Sequence, residues 1–179
     1  MKTLSRLLKE LVTHGRRTDL AGEHRLGDAG QIALFLLFMA LWVSDLFQGY
    51  SNFLNGLIPA MIRLPAGSLL LAISVYLAFA GLRLVFVGKA PSGGVIRKGP
   101  FGLVRHPVYL SEIIYYLGLL FINLSLAAAA VMVVAVIFLH YISRYEEKLM
   151  LAKFGGEYRR YLREVPMWLP RLFRKRPAP

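Results

Sequence analysis

The sequence has no cysteine among its 179 residues. Disulfides, thiolate nucleophiles, cysteine-ligated zinc and iron–sulfur clusters are therefore excluded. Acidic residues are also scarce, at 10 against 22 Lys and Arg, which gives a net charge of +12. A glycine-rich dinucleotide fingerprint is missing, which disfavours a Rossmann cofactor domain. The four histidines are scattered without zinc-ligand spacing, so we expect no metal site.

What the chain does contain is apolar sequence. Hydrophobic residues make up 56% of it and the mean hydropathy is +0.53, which is outside the range of ordinary soluble domains. The basic residues lie in the flanks of apolar segments rather than in a nucleic-acid-binding module. We therefore expect an integral membrane protein that meets anionic membrane lipids and binds no nucleic acid.

Four apolar segments predict membrane helices. The first two approach the roughly 20 residues that cross a bilayer, and the shorter third and fourth, joined at 123–125, are typical of a tight helical hairpin. A stretch with two prolines, 49–65, is predicted as a loop. The predicted fold is all-α: a polytopic membrane protein with about four transmembrane helices, an N-terminal amphipathic helix and a cytoplasmic C-terminal helical segment. The four segments are 31–47, 67–87, Val108 to Ile122 and Leu126 to Ile142.

The basic residues also predict orientation, because Lys and Arg in short loops stay on the cytoplasmic side. Six precede the first apolar segment, one lies between the first and second, four lie between the second and third, and ten follow the fourth. Four crossings with both termini in the cytoplasm satisfy all of these counts. The polar clusters that flank the last two segments would then share the cytoplasmic face.

The first cluster surrounds the start of the third apolar segment. The sequence 88–99 is too rich in Gly and Pro for a regular helix, and Pro107 suits the first position of the helix that follows. A helix start carries unpaired N–H groups and the positive end of the helix dipole, so with Arg105 and His106 it favours a carboxylate or phosphate. The alternative, which this cluster leaves open, is that both side chains meet lipid phosphates.

The second cluster follows the fourth apolar segment. On a continuing helix Arg144 and Glu147 share one face with His140, and Glu146 lies about 100° away, so one carboxylate of the pair can face inward. Surface pairing with Arg144 and Lys148 is the alternative explanation. Together, an anion-binding helix start and a carboxylate pair fit a zwitterionic amino-acid group.

Three tyrosines stand near these clusters. Tyr109, Tyr158 and Tyr161 could cover an adenine ring or close a pocket, although tyrosines are common at membrane interfaces in any case. Glu112, about one turn into the third segment, is the intramembrane acid that a structural role explains least well; substrate contact is the hypothesis to test, and its role stays open.

These motifs resemble a known family. The run GPFGLVRHPVY, followed after about 35 residues by EEKLMLAKFGGEYRRYLREVP and a further Pro170, looks like the isoprenylcysteine carboxyl methyltransferase and phospholipid methyltransferase superfamily. The resemblance covers 81–170. It implies a non-Rossmann pocket for S-adenosyl-L-methionine formed by the last two membrane helices and the C-terminal segment, with lipid-like substrates entering from the bilayer. It carries cofactor binding onto Leu103, Val104, Arg105, His106, Tyr109, Glu146 and Glu147.

The activity implied is in-line transfer of a methyl group to an amphipathic, lipid-like acceptor. We expect Arg144 and Glu147 to act at the reacting groups: Arg144 could orient a carboxylate acceptor, and His140 or a Glu of the pair could take a proton from an amine. Two other functions stay open, an NADPH-dependent membrane reductase of an isoprenoid or sterol-like lipid and a non-enzymatic scaffold that binds anionic lipid.

The hydropathy pattern and the family resemblance together predict the domain organisation. Leucines at helical spacing between basic residues predict an N-terminal interfacial segment at 1–29, and a transmembrane methyltransferase domain would occupy 30–179 with its cofactor region at 88–170. The sequence indicates neither the oligomeric state nor the identity of the methyl acceptor.

Overall fold

The computed structural model describes residues 27–86 and 94–170. Throughout these two ranges the regular structure is helical, which confirms the predicted fold class. Two short 3-10 turns, Phe53–Gly56 and Gly99–Gly102, interrupt the connections. The predicted amphipathic helix lies outside the described residues, and the domain division at 29/30 stays a prediction. The four helices are α1 (Gly27–Gln48), α2 (Ala60–Phe86), α3 (Pro107–Ile122) and α4 (Leu126–Glu164).

Three of the helices, α1, α2 and α4, are long and apolar enough to cross a membrane. The fourth, α3, is apolar but has only 16 residues, or about 24 Å at 1.5 Å per residue. The turn between α3 and α4 lies at 123–125, where the sequence predicted it, and Ser125 caps α4 by accepting a hydrogen bond from the Ala128 N–H. The outer faces of α1 and α2 are largely exposed, as expected for helices that meet hydrocarbon.

The predicted loop at 49–65 is wrong in its second half. Helix α2 begins at Ala60 and contains Pro65 as its sixth residue. Proline there removes one intrahelical hydrogen bond, the one to the Met61 carbonyl, and the helix continues through it to Phe86. The helix start is also held from outside, since the Arg63 guanidinium donates to the carbonyls of Ile58 (2.9 Å) and Ile122 (2.6 Å).

A polar network closes the end of the bundle away from the two polar clusters. Asp45 is fully buried and accepts hydrogen bonds from the Ser51 N–H (2.7 Å) and Ser51 hydroxyl (2.8 Å). Asn52 and Asn55 both donate to the Asn123 side-chain oxygen. The α1–α2 connection is therefore fastened to the α3–α4 turn. Buried polar groups need such partners because an unpaired one costs about 1–3 kcal/mol.

Small residues let α2 and α3 approach closely. A Cβ on Gly67 would lie 2.7 Å from the Gly118 carbonyl oxygen, and the Ser74 hydroxyl donates to the Ser111 carbonyl at 2.7 Å. Gly81 meets the Val108 side chain in the same way. Gly67, Ser74 and Gly81 recur every seven residues, so one narrow face of α2 is seated on α3.

Helix α1 meets α3 through aromatic residues, and α4 adds small and aliphatic residues to the same cluster. The rings of Phe38 and Tyr116 are 4.6 Å apart and both side chains are fully buried. Trp42 donates its indole N–H to the Leu119 carbonyl at 2.8 Å. With Leu120, Ala128, Val131 and Ala135 they form the main core cluster. This packing places the beginning of α3 beside the part of α4 that carries Glu146 and Glu147, so the two polar clusters lie together.

Close packing at Gly67 predicts a sharp cost for one added methyl group. Gly67→Ala would force the α2 and α3 backbones apart, because the new Cβ meets a carbonyl oxygen rather than a movable side chain. We expect a loss of about 1–3 kcal/mol, measured as a lower unfolding midpoint of the detergent-solubilised protein. Gly56→Ala is the matched control, since nothing lies within 4 Å of its Cβ. Equal midpoints for the two variants would contradict the tight α2–α3 contact.

Candidate cofactor-binding site

The first side of the site is the short segment before α3. The Gly99–Gly102 turn ends in N–H groups of Leu103 and Val104 that both donate to the Pro100 carbonyl at 3.0 Å. Val104 is 2% exposed and packs inward, whereas Leu103 is 61% exposed. Helix α3 then begins at Pro107, as the sequence predicted. Of the two apolar residues that the resemblance assigns to the cofactor, Val104 is therefore buried and Leu103 is exposed.

The second side is α4, which folds back on itself. A straight helix would separate Glu147 from Leu162 by roughly 22 Å, yet the side chain of Arg105 contacts both. The reversal occurs at Gly155, whose φ of 53° and ψ of −121° are non-helical. An L side chain rarely adopts this conformation, so glycine is required there. The sequence predicted a helical C-terminal segment but not its reversal.

Arg105 joins the two sides. Its Nε donates to Glu147 Oε1 at 2.7 Å, and its Nη1 donates to the carbonyls of Leu162 and Val165 at the end of α4. The side chains of Arg105 and Glu147 are only 10% and 5% exposed. The backbone adds a further contact, because the Arg105 N–H donates to the Pro166 carbonyl at 2.9 Å. Helix-terminal carbonyls have no intrahelical partner, and the guanidinium supplies the donors that they need.

Both carboxylates of the acidic pair face the start of α3. His106 Nε2 lies 3.4 Å from Glu147 Oε1, and Nδ1 lies 3.6 Å from Glu146 Oε2. The Tyr109 hydroxyl donates to Glu146, and the His106 and Tyr109 rings stack with centroids 5.7 Å apart. The sequence required only that one carboxylate of the pair could face inward, and in the structure both lie against the start of α3. We call these five residues, Arg105, His106, Tyr109, Glu146 and Glu147, the clasp.

The electrostatics of the clasp favour negative charge on Glu147. Burial alone would raise its carboxyl pKa, but hydrogen bonds from His106 and Arg105, with the nearby Arg105 charge, lower it below the ordinary value. Arg144 adds a longer contact to Glu147 Oε2 at 3.5 Å and is 62% exposed. Glu147 is thus an ionised group at neutral pH, and Arg144 stands at the rim.

The other two tyrosines have a packing role. Tyr158 and Tyr161 are buried with Val95 and Val165, and the Tyr161 hydroxyl donates to the Phe101 carbonyl at 2.7 Å. Burial raises the pKa of both phenols well above the ordinary value, so both stay neutral. These contacts hold the folded-back segment on the Gly99–Gly102 turn. The structure gives no sign that either ring covers a ligand.

Two buried donors beside the clasp lack a partner among the described residues. The Ser143 hydroxyl belongs to a fully buried residue one turn before Glu147, and the Trp168 indole N–H is also enclosed. Trp168 follows Met167, whose carbonyl accepts the His106 N–H at 3.4 Å, and its ring lies 6.4 Å from the exposed His140. Such orphaned donors are rare in native proteins and leave room for a water or a ligand acceptor; the Asn123 side-chain amide, at the other end of the bundle, is a third among the described residues. The sequence reasoning missed both donors beside the clasp, although Ser143 is a polar residue at a core-facing position of α4.

Metal chemistry has no support in this arrangement. Within the parts of the chain that the structure describes, no group of three or more His, Asp or Glu side chains is placed to hold a metal ion. The clasp instead combines a buried cation and two carboxylates, and two unsatisfied donors lie beside it. That combination suits an organic ligand that carries both charge and hydrogen-bonding groups.

The sequence comparisons agree with this geometry. Residues 62–157, more than half of the chain, match the phospholipid methyltransferase family. These residues include α3, the clasp and most of α2 and α4. A helical membrane protein with its polar site between the last two helices is the class that fold and site define. The chain belongs to the phospholipid methyltransferase family.

Two curated relatives are similar over part of their length. One, the cobalt-zinc-cadmium resistance protein CzcN of Cupriavidus metallidurans, is 29% identical over 153 residues, which cover 83% of this chain and 65% of the relative. The other, methanethiol S-methyltransferase 2 of Bradyrhizobium diazoefficiens, is 35% identical over 108 residues, which cover 54% of this chain and 38% of the relative. The chain thus spans less than two thirds of either relative. No solved structure matches it.

The reversal at Gly155 leads to a prediction with a neighbouring control. Gly155→Ala should cost about 1–3 kcal/mol through backbone strain alone, because nothing lies within 4 Å of the added Cβ. Gly156→Ala has equally open surroundings and no positive φ, so it should be neutral. Limited proteolysis and hydrogen exchange at 156–166 would measure how firmly the folded-back segment is held. Equal protection in the two variants would contradict the requirement for glycine at 155.

Proposed function

We propose that this chain is an integral membrane methyltransferase that uses S-adenosyl-L-methionine and acts on an amphipathic, lipid-like acceptor. The observation that carries the proposal is the clasp, in which a helix start and an acidic pair from two different helices meet. Membership of the phospholipid methyltransferase family supports it. The same membership disfavours a reductase or a lipid-binding scaffold.

The residues present fit this cofactor. S-adenosyl-L-methionine is cationic at its sulfonium and ammonium groups, and the acidic pair supplies the complementary charge. Its hydroxyl and carboxylate oxygens are acceptors of the kind that the Ser143 hydroxyl and Trp168 N–H lack. Val104 and His106 lie at the buried edge of the clasp, and Leu103 at its exposed edge, where contact with the adenosyl group is proposed.

Bound cofactor would supply an activated methyl group, and the chain's own residues would do the positioning. Arg105 fixes Glu147 and the end of α4, so it acts on the reaction by orienting the site. Glu147 contacts both Arg105 and His106 and so fixes the positions of their side chains. Arg144 stands at the exposed rim, where it can meet the polar group of an acceptor. Alignment in a water-poor pocket can contribute several kcal/mol to such a displacement.

The acceptor is proposed to arrive from the bilayer. Membrane lipids surround the exposed faces of α1 and α2, and an amphipathic acceptor would present its polar end at the level of the clasp. The relative named for methanethiol S-methylation makes a thiol one candidate nucleophile, beside the amine of a phospholipid. The shared requirement is a nucleophilic heteroatom on an apolar carrier.

Ligand binding tests the proposal directly. Calorimetry of the detergent-solubilised chain should show binding of S-adenosylhomocysteine and none of NADPH. Ser143→Ala should weaken binding about tenfold by removing one hydrogen bond to a polar ligand atom. Ser68→Ala, at an exposed position of α2, should leave the affinity unchanged. Binding of NADPH alone would indicate a reductase, and binding of neither compound would leave the scaffold.

The orientation is proposed with both termini and the clasp in the cytoplasm, from the distribution of basic residues. Because the chain has no cysteine, single cysteines give a labelling test free of background. Leu57→Cys lies in the exposed connection between α1 and α2, and Arg159→Cys lies in the folded-back segment. In intact cells a membrane-impermeant maleimide should label the first variant, and the second only after permeabilisation. The reverse pattern would overturn the orientation.

A further inference from the structure

One face of α3 leads from the clasp into the apolar part of the bundle. His106, Tyr109, Glu112 and Tyr116 follow one another at intervals of three, three and four residues, so each is a neighbour of the next along the helix. Side chains at this spacing have Cβ atoms about 5–6 Å apart. His106 and Tyr109 already contact the acidic pair. Glu112 is therefore the next polar group on the hydrocarbon side of the clasp.

The register of α3 against α4 supports the same location. His106 contacts Glu147 and Tyr109 contacts Glu146, so the two helices run antiparallel here. Continuing by three residues along α3 brings Glu112 level with 142–143 on α4. Ser143, whose hydroxyl has no partner among the described residues, lies at that level. Glu112 and Ser143 thus mark a polar layer between the clasp and the apolar core.

Glu112 has little internal compensation for its charge. Its carboxylate accepts one hydrogen bond, from the Tyr116 hydroxyl at 2.8 Å. Among residues 27–86 and 94–170, the ion pairs beside α3 are made by Arg105 and His106, just before the helix, and none involves Glu112. Burying a carboxylate within an apolar helix costs free energy, and one hydrogen bond from a neutral donor does not offset that cost. A function at this position explains its presence better than packing does.

We propose that Glu112 is the group that faces the reacting methyl, where it balances the positive sulfonium and accepts the proton that the methyl acceptor gives up. This inference rests on the methyltransferase function proposed above. In the transfer, the sulfur–methyl bond breaks and its electron pair stays on sulfur, while a new bond forms between the acceptor heteroatom and the methyl carbon. The proton on that heteroatom passes to the Glu112 carboxylate.

The charge balance gives this arrangement its advantage. Before transfer, one positive sulfonium and one negative carboxylate attract each other in surroundings of low dielectric constant. After transfer, the thioether, the methylated acceptor and the protonated carboxyl are all neutral. The apolar site therefore favours the products, in which no charge is left buried.

The proposal also narrows the class of acceptor. A nucleophile that brings its own proton, such as a thiol or an uncharged amine, needs a group like Glu112. A carboxylate acceptor has no proton to lose and would be repelled by the anionic side chain. We therefore expect thiols or amines on apolar carriers to be methylated in preference to carboxylates.

Two ligands that differ in charge test the role of Glu112 without catalysis. Glu112→Gln should weaken binding of S-adenosylmethionine about tenfold relative to S-adenosylhomocysteine, which lacks the sulfonium charge, since only the former needs the carboxylate. Tyr116→Phe removes the hydrogen bond to the Glu112 carboxylate but keeps its charge, so it should preserve the wild-type preference. Asp28→Asn removes an exposed carboxylate at the start of α1 and should change neither affinity.

The second readout is acceptor choice. Transfer of labelled methyl groups to butanethiol, to phosphatidylethanolamine and to N-acetylfarnesylcysteine separates thiol, amine and carboxylate acceptors. Glu112→Gln should reduce the kcat for the thiol or amine by at least about a hundredfold while leaving its KM nearly unchanged.

Three outcomes would overturn the role of Glu112. One is an equal effect of Glu112→Gln on the two cofactor forms, another is the same effect of Tyr116→Phe, and the third is a preference of the wild type for the carboxylate acceptor. Failure of the wild type to bind either cofactor form would instead remove the methyltransferase function itself, so the two failures are distinguishable.

Discussion

The arrangement of this chain depends on one buried guanidinium. Arg105 bonds a carboxylate of one helix segment and two carbonyls of another, and these segments are brought together only because α4 reverses at Gly155. Leaving a buried charge without its partner costs about 3–5 kcal/mol. Through its ion pair with Glu147 and its bonds to the two carbonyls, Arg105 therefore holds together the start of α3, the middle of α4 and the C-terminal segment.

Helix α3 packs differently against its two neighbours, α2 and α4. On the side of α2, glycine and serine let backbones touch, which gives a close and rigid contact along α3. On the side of α4, polar side chains meet across the clasp and leave donors unsatisfied. A ligand site is best placed where packing is incomplete but the surrounding elements are fixed. In this protein, α2 supplies the fixed support and the clasp supplies the unfilled polar groups.

Much of the fold followed from hydropathy and charge, and the errors have physical causes. The turn at 123–125 and the helix start at Pro107 were predicted because apolar segments and proline chemistry fix them locally. The start of α2 was missed because Pro65 is tolerated so early in a helix. The two polar clusters were predicted to meet, and Arg105 and Glu147, one from each cluster, are in contact in the structure. The contact of Arg105 with the end of α4 depends on the reversal at Gly155, and helical periodicity carries no information about such a reversal.

The two tryptophans of the chain occupy different environments. Trp42 is hydrogen-bonded within the apolar core, whereas Trp168 lies against His140 beside the clasp. In a chain whose Trp42 is replaced by phenylalanine, indole emission would come from Trp168 alone. The protein thus carries a native optical reporter beside the clasp, and changes in the clasp can be followed in detergent or in vesicles without attaching a dye.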